Sequence, residues 1–238
     1  MNQSKFNTRN EWLSQRTLLL EKEKAFNKLK DELAAARRAL PWVEIEKTYL
    51  FDTPGGKQSL AQLFGAHSQL IVYHFMFGPN AEVGCKSCSF WADNWGAAVP
   101  HLTARDTTLL AVSRAPLAKL EAFKQRQGWK FKWVSSGQSD FNYDFAVSFR
   151  EAEHAAGKST YNYAPLSATA PHDLPGFSVF AKDEHGAVFH TYSTFGRGLE
   201  LMNTTYQLLD LVPKGRDETD LPGTMSWVKY GYDYAQSA

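Results

Sequence analysis

The chain has 238 residues, of which 43% are hydrophobic and 21% are charged, a composition typical of an ordinary globular protein. Its formal net charge of +1 gives no electrostatic reason to expect nucleic acid as a partner. No apolar run approaches the roughly 18 residues that cross a bilayer, and no apolar signal segment opens the chain. We therefore expect no membrane partner and a cytoplasmic location.

Residues 1–41 are predicted to form a helical extension. Thr8 and Glu11 have the spacing of a capping box, and Pro41 is expected to stop the helix. Apolar residues recur at every seventh position, namely Trp12, Leu19, Phe26, Leu33 and Leu40. Charged residues interrupt the second apolar row that a coiled coil needs. Two interpretations stay open: a helix along the surface of its own domain, or an arm that forms a homodimer.

Residues 42–212 are predicted to form one α/β domain, because strand-like and helix-like segments alternate along them. The predicted strands cover residues 44–51, 69–77, 107–113, 177–181 and 187–192, and the predicted helices cover 59–64, 89–99, 116–127 and 198–211. An irregular, aromatic-rich insertion is expected at about 129–172. The tail at 213–238, rich in charge, Pro and Gly, is expected to be loosely packed.

The chain has two cysteines, Cys85 and Cys88, which follow the buried strand predicted at 69–77. At the start of a helix, free backbone amides and the helix dipole favour a thiolate on the first sulfur. Lys86 adds a positive charge beside it. The second sulfur is within reach to form a disulfide or to resolve a mixed one. The spacing therefore predicts Cys85 as the nucleophile and Cys88 as the resolving thiol.

Three other interpretations of this pair remain. A zinc site needs about four ligands, and the sequence has no second cysteine pair and no closely spaced histidines. A structural disulfide across so short a loop stabilises little. The pair could also be vestigial and without catalytic function. A Cys-x-x-Cys in a cytosolic protein favours dithiol chemistry, for which we expect no cofactor.

At these residues the sequence resembles the thioredoxin superfamily, which places Cys-x-x-Cys after a central strand and a cis-proline before an antiparallel strand. The resemblance implies a cis bond between Leu174 and Pro175, with the carbonyl and amide before the proline pairing with a substrate strand. Thioredoxins also carry a buried Asp that assists proton transfer, and Tyr73 and His74 are the nearest equivalents. Because His74 titrates near neutrality, it is the predicted acid and base.

A closer resemblance is to the domain of unknown function 899 family. It is carried by the sequence blocks at 37–42, 73–76, 84–89, 113–116, 128–129, 133–136, 140–142 and 190–193. That family is thioredoxin-like and is described as predicted dithiol-disulfide oxidoreductases. The resemblance implies a thioredoxin-like fold with a long N-terminal helix and an aromatic-rich insertion.

Further candidate residues are expected at the same end of the sheet, where ligands bind in open α/β folds. Arg114 follows a strand parallel to the one before Cys85, so it could stabilise a thiolate or bind an anionic substrate. An Arg paired for structural reasons is the alternative. His190 and Tyr192 follow Leu174 and Pro175 and are predicted to bind substrate, with a structural polar network as the alternative.

The preferred hypothesis is a thiol-disulfide oxidoreductase. Its expected substrate is a disulfide-bearing protein or a small thiol, and an unidentified reductant is expected to return the protein to its reduced form. The first alternative is a thiol peroxidase, in which Cys88 resolves a sulfenic acid on Cys85. Peroxiredoxins carry a Pro-x₃-Thr-x₂-Cys pattern, and the segment from Pro79 to Cys85 lacks its Thr. The second alternative is a binding or assembly module without catalytic activity.

Overall fold

The computed structural model describes residues 8–234, so the ends of the predicted segments 1–41 and 213–238 lie outside the described residues. The chain divides into two compact units, and the boundary falls between Pro41 and Trp42. None of the helices among the described residues is long and apolar enough to cross a membrane.

The first unit contains helix α1 (Arg9–Arg38). The predicted capping box is present: the Glu11 amide donates to Thr8 Oγ1 at 3.3 Å, and the Thr8 amide donates to Glu11 Oε2 at 2.7 Å. No residue of this helix is buried, and Phe26 is 54% exposed. Homodimer formation through the apolar row of α1 stays a prediction.

The second unit is built on an eight-stranded sheet with helices around it. Its strands are β1 (Val43–Glu44), β2 (Leu50–Thr53), β3 (Gly56–Ser59), β4 (Gln69–His74), β5 (Thr107–Ser113), β6 (Lys132–Ser135), β9 (Gly176–Lys182) and β10 (Val188–Phe195), and a separate two-stranded sheet contains β7 (Thr160–Tyr161) and β8 (Ala164–Pro165). Its helices are α2 (Leu60–Leu63), α3 (Lys86–Ala92), α4 (Val99–Thr103), α5 (Leu117–Gln127), α6 (Phe141–Asp144), α7 (Glu151–Ala155), a 3₁₀-helix (Gly196–Met202), α8 (Thr204–Leu209) and α9 (Gly231–Tyr234).

The order of strands in the large sheet is β1-β10-β9-β4-β5-β6-β2-β3. Strands β4, β5 and β6 run parallel, because helical segments carry the chain back between them. The hairpin of β9 and β10 joins the other side of β4 in antiparallel orientation. The two cysteines follow β4, the central strand. This topology confirms the predicted thioredoxin-like α/β fold.

Both faces of the sheet are covered, and β4 contributes to each. Tyr73 belongs to a hydrophobic cluster that includes Cys88, whereas Val72 belongs to a second cluster that includes Phe51. Successive side chains of a strand point to opposite faces, so the two clusters lie on opposite sides of the sheet. We call the side with Tyr73 the sulfur face and the side with Val72 the histidine face, because His74 also lies there.

Three predictions about the organisation of this unit need correction. The segment predicted as one strand at 44–51 is divided between β1 and β2, which lie far apart in the sheet. Residues 129–172 are not irregular throughout, because β6 pairs in parallel with β5 and its Trp133 is fully buried. The described part of the tail is also not loosely packed, since Val228 is buried in the sulfur-face cluster.

Candidate functional site

The two sulfurs sit where the chain turns from β4 into α3. Cys85 is the N-cap of α3 and has an extended backbone, and its amide donates to the Met76 carbonyl at 3.1 Å. The preceding Gly84 lies so close to Phe75 that a Cβ would come within 2.8 Å of that ring. Glycine therefore permits the close approach of this turn to the core, and the Gly84 carbonyl accepts a 2.7 Å hydrogen bond from the Tyr230 hydroxyl.

Cys85 is partly buried and its pKa is lowered to about 6. The main cause is the hydrogen bond from the Cys88 side chain, which outweighs the opposing effect of burial. The backbone amides of Cys88 and Ser87 and the Ser87 hydroxyl lower it further. Lys86 is exposed, and its predicted charge effect is not among these causes. At neutral pH the first sulfur is a thiolate.

Cys88 has the opposite character. It is 1% exposed, and burial raises its pKa well above the usual value, followed by its hydrogen bond with Cys85 and the charge of that residue. Its sulfur also accepts a 3.4 Å hydrogen bond from the Met76 amide and one from the Tyr73 hydroxyl. The second sulfur is therefore a thiol that donates its proton to the thiolate of Cys85. Both cysteines are free rather than joined in a disulfide.

The structure corrects the prediction for His74, which is fully buried on the histidine face and points away from the sulfurs. Its Nε2 forms a 2.8 Å hydrogen bond with Ser178 Oγ, and its ring stacks on Phe141 at a centroid distance of 5.5 Å. Burial, followed by the charge of His190, lowers its pKa to about 3. Tyr73, rather than His74, is the residue of β4 whose side chain meets a sulfur.

His190 is also on the histidine face. Its Nε2 lies 2.8 Å from Ser193 Oγ, which in turn lies 2.9 Å from Ser178 Oγ, so the two histidines are the ends of one buried polar chain. Tyr192 is partly buried, and its carbonyl oxygen lies 3.1 Å from His190 Nε2. The structure places His190 on the side of the sheet away from the sulfurs, and the alternative interpretation, a structural polar network, describes it.

Arg114 is paired within the protein and does not reach the sulfurs. Its Nε and a terminal nitrogen donate to the two carboxylate oxygens of Asp173 at 2.8 and 3.0 Å, and its other terminal nitrogen donates to the Tyr143 hydroxyl at 2.7 Å. A bidentate pair of this kind fixes geometry as well as charge. Arg114 therefore holds the segment before β9 in place.

The segment at Leu174 and Pro175 differs from the implied platform for a substrate strand. Among the described residues no peptide bond is cis, so the prediction of a cis bond before Pro175 is wrong. The Leu174 amide donates to the Val147 carbonyl at 2.9 Å, and the Pro175 carbonyl accepts from the Tyr161 hydroxyl at 2.6 Å. The Leu174 amide, one of the two groups that the resemblance implies for pairing with a substrate strand, is therefore already used within the protein.

A cavity of about 530 Å³ adjoins the site on the sulfur face. Cys88, Ser87 and Pro175 line it, whereas Cys85 does not. Its apolar and aromatic wall consists of Tyr73, Met76, Trp91, Leu199, Tyr206 and Met225. Leu199 belongs to the 3₁₀-helix, Tyr206 to α8 and Met225 to the C-terminal segment, and the sequence indicated none of these three residues as part of a site.

Within residues 8–234, no group of three or more His, Cys, Asp or Glu side chains is arranged to hold a metal ion. The chemistry that this site offers from its own residues is that of an ionised thiol beside a protonated one.

Several solved structures are similar to this chain at low sequence identity. Peroxiredoxin Q of Xanthomonas campestris is 14% identical over 72% of this chain and 98% of its own, with a TM-score of 0.46. Peroxidoxin BcpB of Mycobacterium tuberculosis is 11% identical over 72% of this chain and 97% of its own, with a TM-score of 0.44. No conclusion about activity follows from similarities of this size.

No protein with a curated description matches the sequence. A family model, in contrast, matches almost the whole chain, from residue 1 to residue 234. The family is described as "Bacterial protein of unknown function (DUF899)". The match is longer than the span of the sequence blocks that predicted it, and the chain belongs to this family.

Proposed function

We propose that this protein is a thiol-disulfide oxidoreductase in which Cys85 attacks and Cys88 resolves. The observation that carries the proposal is the placement of two free cysteines at the start of α3, with Cys85 at the N-cap and Cys88 buried beside it, so that their pKa values move in opposite directions. The thiolate is the nucleophile in disulfide exchange, and the pKa of about 6 at Cys85 keeps that sulfur ionised at neutral pH. The raised pKa of Cys88 keeps its proton in place until it is needed.

The reaction proceeds in two exchanges. The Cys85 thiolate attacks one sulfur of a substrate disulfide, forms a mixed disulfide and expels the other half as a thiolate. Cys88 loses its proton, attacks the sulfur of Cys85 and expels the second half. The substrate disulfide gains two electrons and the protein becomes a Cys85–Cys88 disulfide. A thiol reductant then returns two electrons to the protein.

A redox titration tests the proposal. The protein is equilibrated in mixtures of reduced and oxidised glutathione, quenched with acid, alkylated with a maleimide, and its free thiols are counted by mass spectrometry. We expect one reversible two-electron transition for the wild type and none for Cys85→Ser or Cys88→Ser. A pair that stays reduced, or that oxidises without returning, contradicts the proposal.

A thiol peroxidase is the second candidate, because the same Cys85 thiolate, to which the Ser87 hydroxyl donates, is also the group that attacks a hydroperoxide. In that reaction Cys85 takes one oxygen from a hydroperoxide and becomes a sulfenic acid, which Cys88 converts to the disulfide with release of water. Peroxide consumption separates the two candidates. Consumption that is lost in Cys85→Ser and is faster than disulfide exchange supports the peroxidase, and consumption that survives Cys85→Ser excludes it.

A further inference from the structure

The two sulfurs have different surroundings. Cys88 lines the cavity of about 530 Å³, a volume within the usual range of small-molecule sites, whereas Cys85 does not line it. A molecule inside the cavity therefore meets the resolving sulfur rather than the attacking one. This arrangement is suited to the reductive half of the cycle, in which the protein disulfide itself is the target.

In the oxidised protein, an incoming thiolate can attack either sulfur of the Cys85–Cys88 bond. Exchange is faster when the sulfur that leaves belongs to the more acidic thiol. Attack at Cys88 expels Cys85, whose pKa is lowered by the backbone amides of Cys88 and Ser87 and by the Ser87 hydroxyl, whereas attack at Cys85 expels a sulfur whose pKa is raised by burial. Cys88 is the more buried of the two sulfurs, but it is the one in the wall of the cavity, and leaving-group chemistry favours the same point of attack.

The wall of the cavity favours a neutral molecule with an apolar body. Trp91, Leu199 and Met225 contribute apolar surface, and the Trp91 indole nitrogen is occupied by a 2.8 Å bond to the Leu199 carbonyl. The charged side chains of the cavity are already paired with other groups. The Arg197 side chain is 89% exposed and faces solvent, so a carboxylate or ammonium group that moved past it into the apolar part of the cavity would lose hydration without meeting a free opposite charge.

The pairing of these charges is specific. Arg216 donates to Glu200 at 3.1 Å and to both carboxylate oxygens of Asp210 at 2.8 Å. The Glu218 carboxylate accepts hydrogen bonds from the Tyr206 hydroxyl, the Trp227 indole and the Met225 amide. Arg197 contacts Glu200 at 3.1 and 3.3 Å. Two arginines and two glutamates line the cavity, so their formal charges cancel.

An extended protein strand is a poor fit for the same place. The Leu174 amide, through which such a strand would pair beside the sulfurs, is bound to the Val147 carbonyl, and the neighbouring Pro175 carbonyl is bound to the Tyr161 hydroxyl. The C-terminal segment also forms part of the wall through Thr224 and Met225. The occupant that these contacts favour is a small molecule.

We propose that the cavity binds a small neutral thiol with an apolar body, which reduces the Cys85–Cys88 disulfide by attack at the Cys88 sulfur. The thiolate form of the reductant bonds to Cys88 and expels Cys85 as a thiolate. A second molecule of the same thiol attacks the reductant sulfur of this mixed disulfide, releases Cys88, which takes up a proton, and forms the reductant disulfide. Two thiols are oxidised and one protein disulfide is reduced. The inference rests on the proposed dithiol cycle.

The test uses oxidised full-length protein and two probe thiols, benzyl mercaptan and glutathione, with rates expressed per thiolate. We expect benzyl mercaptan to reduce the protein at least about tenfold faster than glutathione, because the charged groups of glutathione keep it out of the cavity and leave it only a slower attack from outside. Thr224 is exposed and lines the cavity, so Thr224→Trp should reduce the benzyl mercaptan rate by about tenfold and leave the glutathione rate unchanged. Thr103→Trp, on the exposed end of α4 away from the cavity, is the matched control.

The point of attack is read from the mixed disulfide. After brief reaction, acid quench and capture of free thiols, trypsin cleaves after Lys86 and places Cys85 and Cys88 in different peptides. We expect the benzylthio group on Cys88 and a free, captured thiol on Cys85. An adduct on Cys85, or equal rates for the two probes, overturns the inference. Failure of the dithiol cycle itself appears earlier, as an inability to prepare the reversible disulfide.

Discussion

The two faces of the central strand β4 differ in what their polar groups do. On the sulfur face, Tyr73 meets the thiol of Cys88, which holds its proton beside a thiolate. On the histidine face, His74 belongs to a closed chain of serine and histidine side chains covered by aromatic rings. One face presents a reactive group next to a cavity, and the other joins its polar side chains to one another, with His74 Nδ1 left without a hydrogen-bond partner.

The comparison shows that two adjacent residues, each able to exchange a proton, can contact entirely different parts of the protein. Tyr73 and His74 are neighbours in sequence and both are buried. The histidine has the more useful pKa in water, but burial removes its ability to take up a proton near neutrality. The phenol, which titrates far above neutral pH, has the hydrogen bond to sulfur. The direction in which a side chain leaves the strand, rather than its intrinsic acidity, determines which of the two residues contacts a sulfur.

The largest expected effect is on the rate of disulfide exchange, which should depend on the sulfur face and not on the histidine face. Cys85→Ser should reduce disulfide exchange by at least about a thousandfold, because it removes the nucleophile. His74→Phe, which preserves the ring against Phe141, should leave the exchange rate of the folded protein within about twofold, since no reacting atom is on its side of the sheet. Stopped-flow exchange with an aromatic disulfide measures both. If His74→Phe lowered the exchange rate as much as Cys85→Ser does, the histidine face would also take part in the reaction and the distinction between the two faces would be wrong.

The next effect is on stability in acid. His74 stays neutral in the folded protein down to about pH 3, whereas the unfolded chain binds a proton below about pH 6.5. Stability is therefore lost as the pH falls from about 6.5 towards 3, with a slope of up to about 1.4 kcal/mol per pH unit from this one group. Burial also lowers the pKa of His190, which adds loss of the same sign.

Urea unfolding of wild type and His74→Phe at several pH values isolates this contribution. Carboxylates that titrate in the same range affect both proteins alike, so the difference between the two curves reports His74. We expect the variant to be less stable near neutral pH by about 1–3 kcal/mol, because Ser178 loses a buried partner. Its loss of stability in acid should be shallower. Parallel curves would contradict the assignment of His74 as a buried neutral group.

A smaller effect is expected on the sulfur face itself. Tyr73→Phe removes the hydroxyl that hydrogen-bonds to Cys88 and lowers the pKa of that thiol, so the pKa should rise further. Resolution of a mixed disulfide should slow by about threefold to tenfold, with a stability loss of about 1 kcal/mol. Single-turnover release of a chromophoric thiol measures the resolving step. An unchanged rate would mean that the Tyr73 side chain contributes only packing and that its hydroxyl does not assist the resolving step.

The smallest effect concerns the donors to Cys85. The rate of alkylation of Cys85 by iodoacetamide should rise with pH through a midpoint of about 6 and then level off, because the thiolate reacts. Ser87→Ala removes one of several donors, so the midpoint should shift upward by less than about one pH unit. Lys86→Ala is the matched control and should leave it in place. If Lys86→Ala shifted the midpoint more than Ser87→Ala does, the charge of Lys86 would be acting on Cys85, as the sequence predicted.

Local patterns predicted much of this fold. The buried strand expected at 107–113 is β5, found at Thr107–Ser113. The prediction succeeded because a short, continuous apolar run without helical periodicity is typical of a buried strand. The capping box at the start of α1 and the hairpin of β9 and β10 were also expected. The site was predicted as far as the sulfurs, since Cys-x-x-Cys after a buried strand is itself a local signal.

Long-range packing accounts for what was missed. Both sides of β4 are covered, so its sequence contains no polar alternation to show which face His74 occupies. Strand β6 is only four residues long and follows two aromatic residues, and its pairing with β5 is not visible in its own sequence. Glu218 looks like a solvent-exposed charge in a polar tail, yet it accepts three hydrogen bonds from residues beside the cavity. Contacts across the fold, rather than local propensity, fix these features.

The bond from Tyr230 to Gly84 joins residues 146 positions apart. During synthesis the turn that holds Cys85 therefore leaves the ribosome well before the segment that closes around it. Until that segment arrives, the nascent chain presents two thiols without their cavity wall. A chain cut off before Thr224 keeps the whole sheet and both sulfurs but lacks part of this wall. The cavity wall beside the two sulfurs is thus complete only after the segment from Thr224 to Tyr230 has been made.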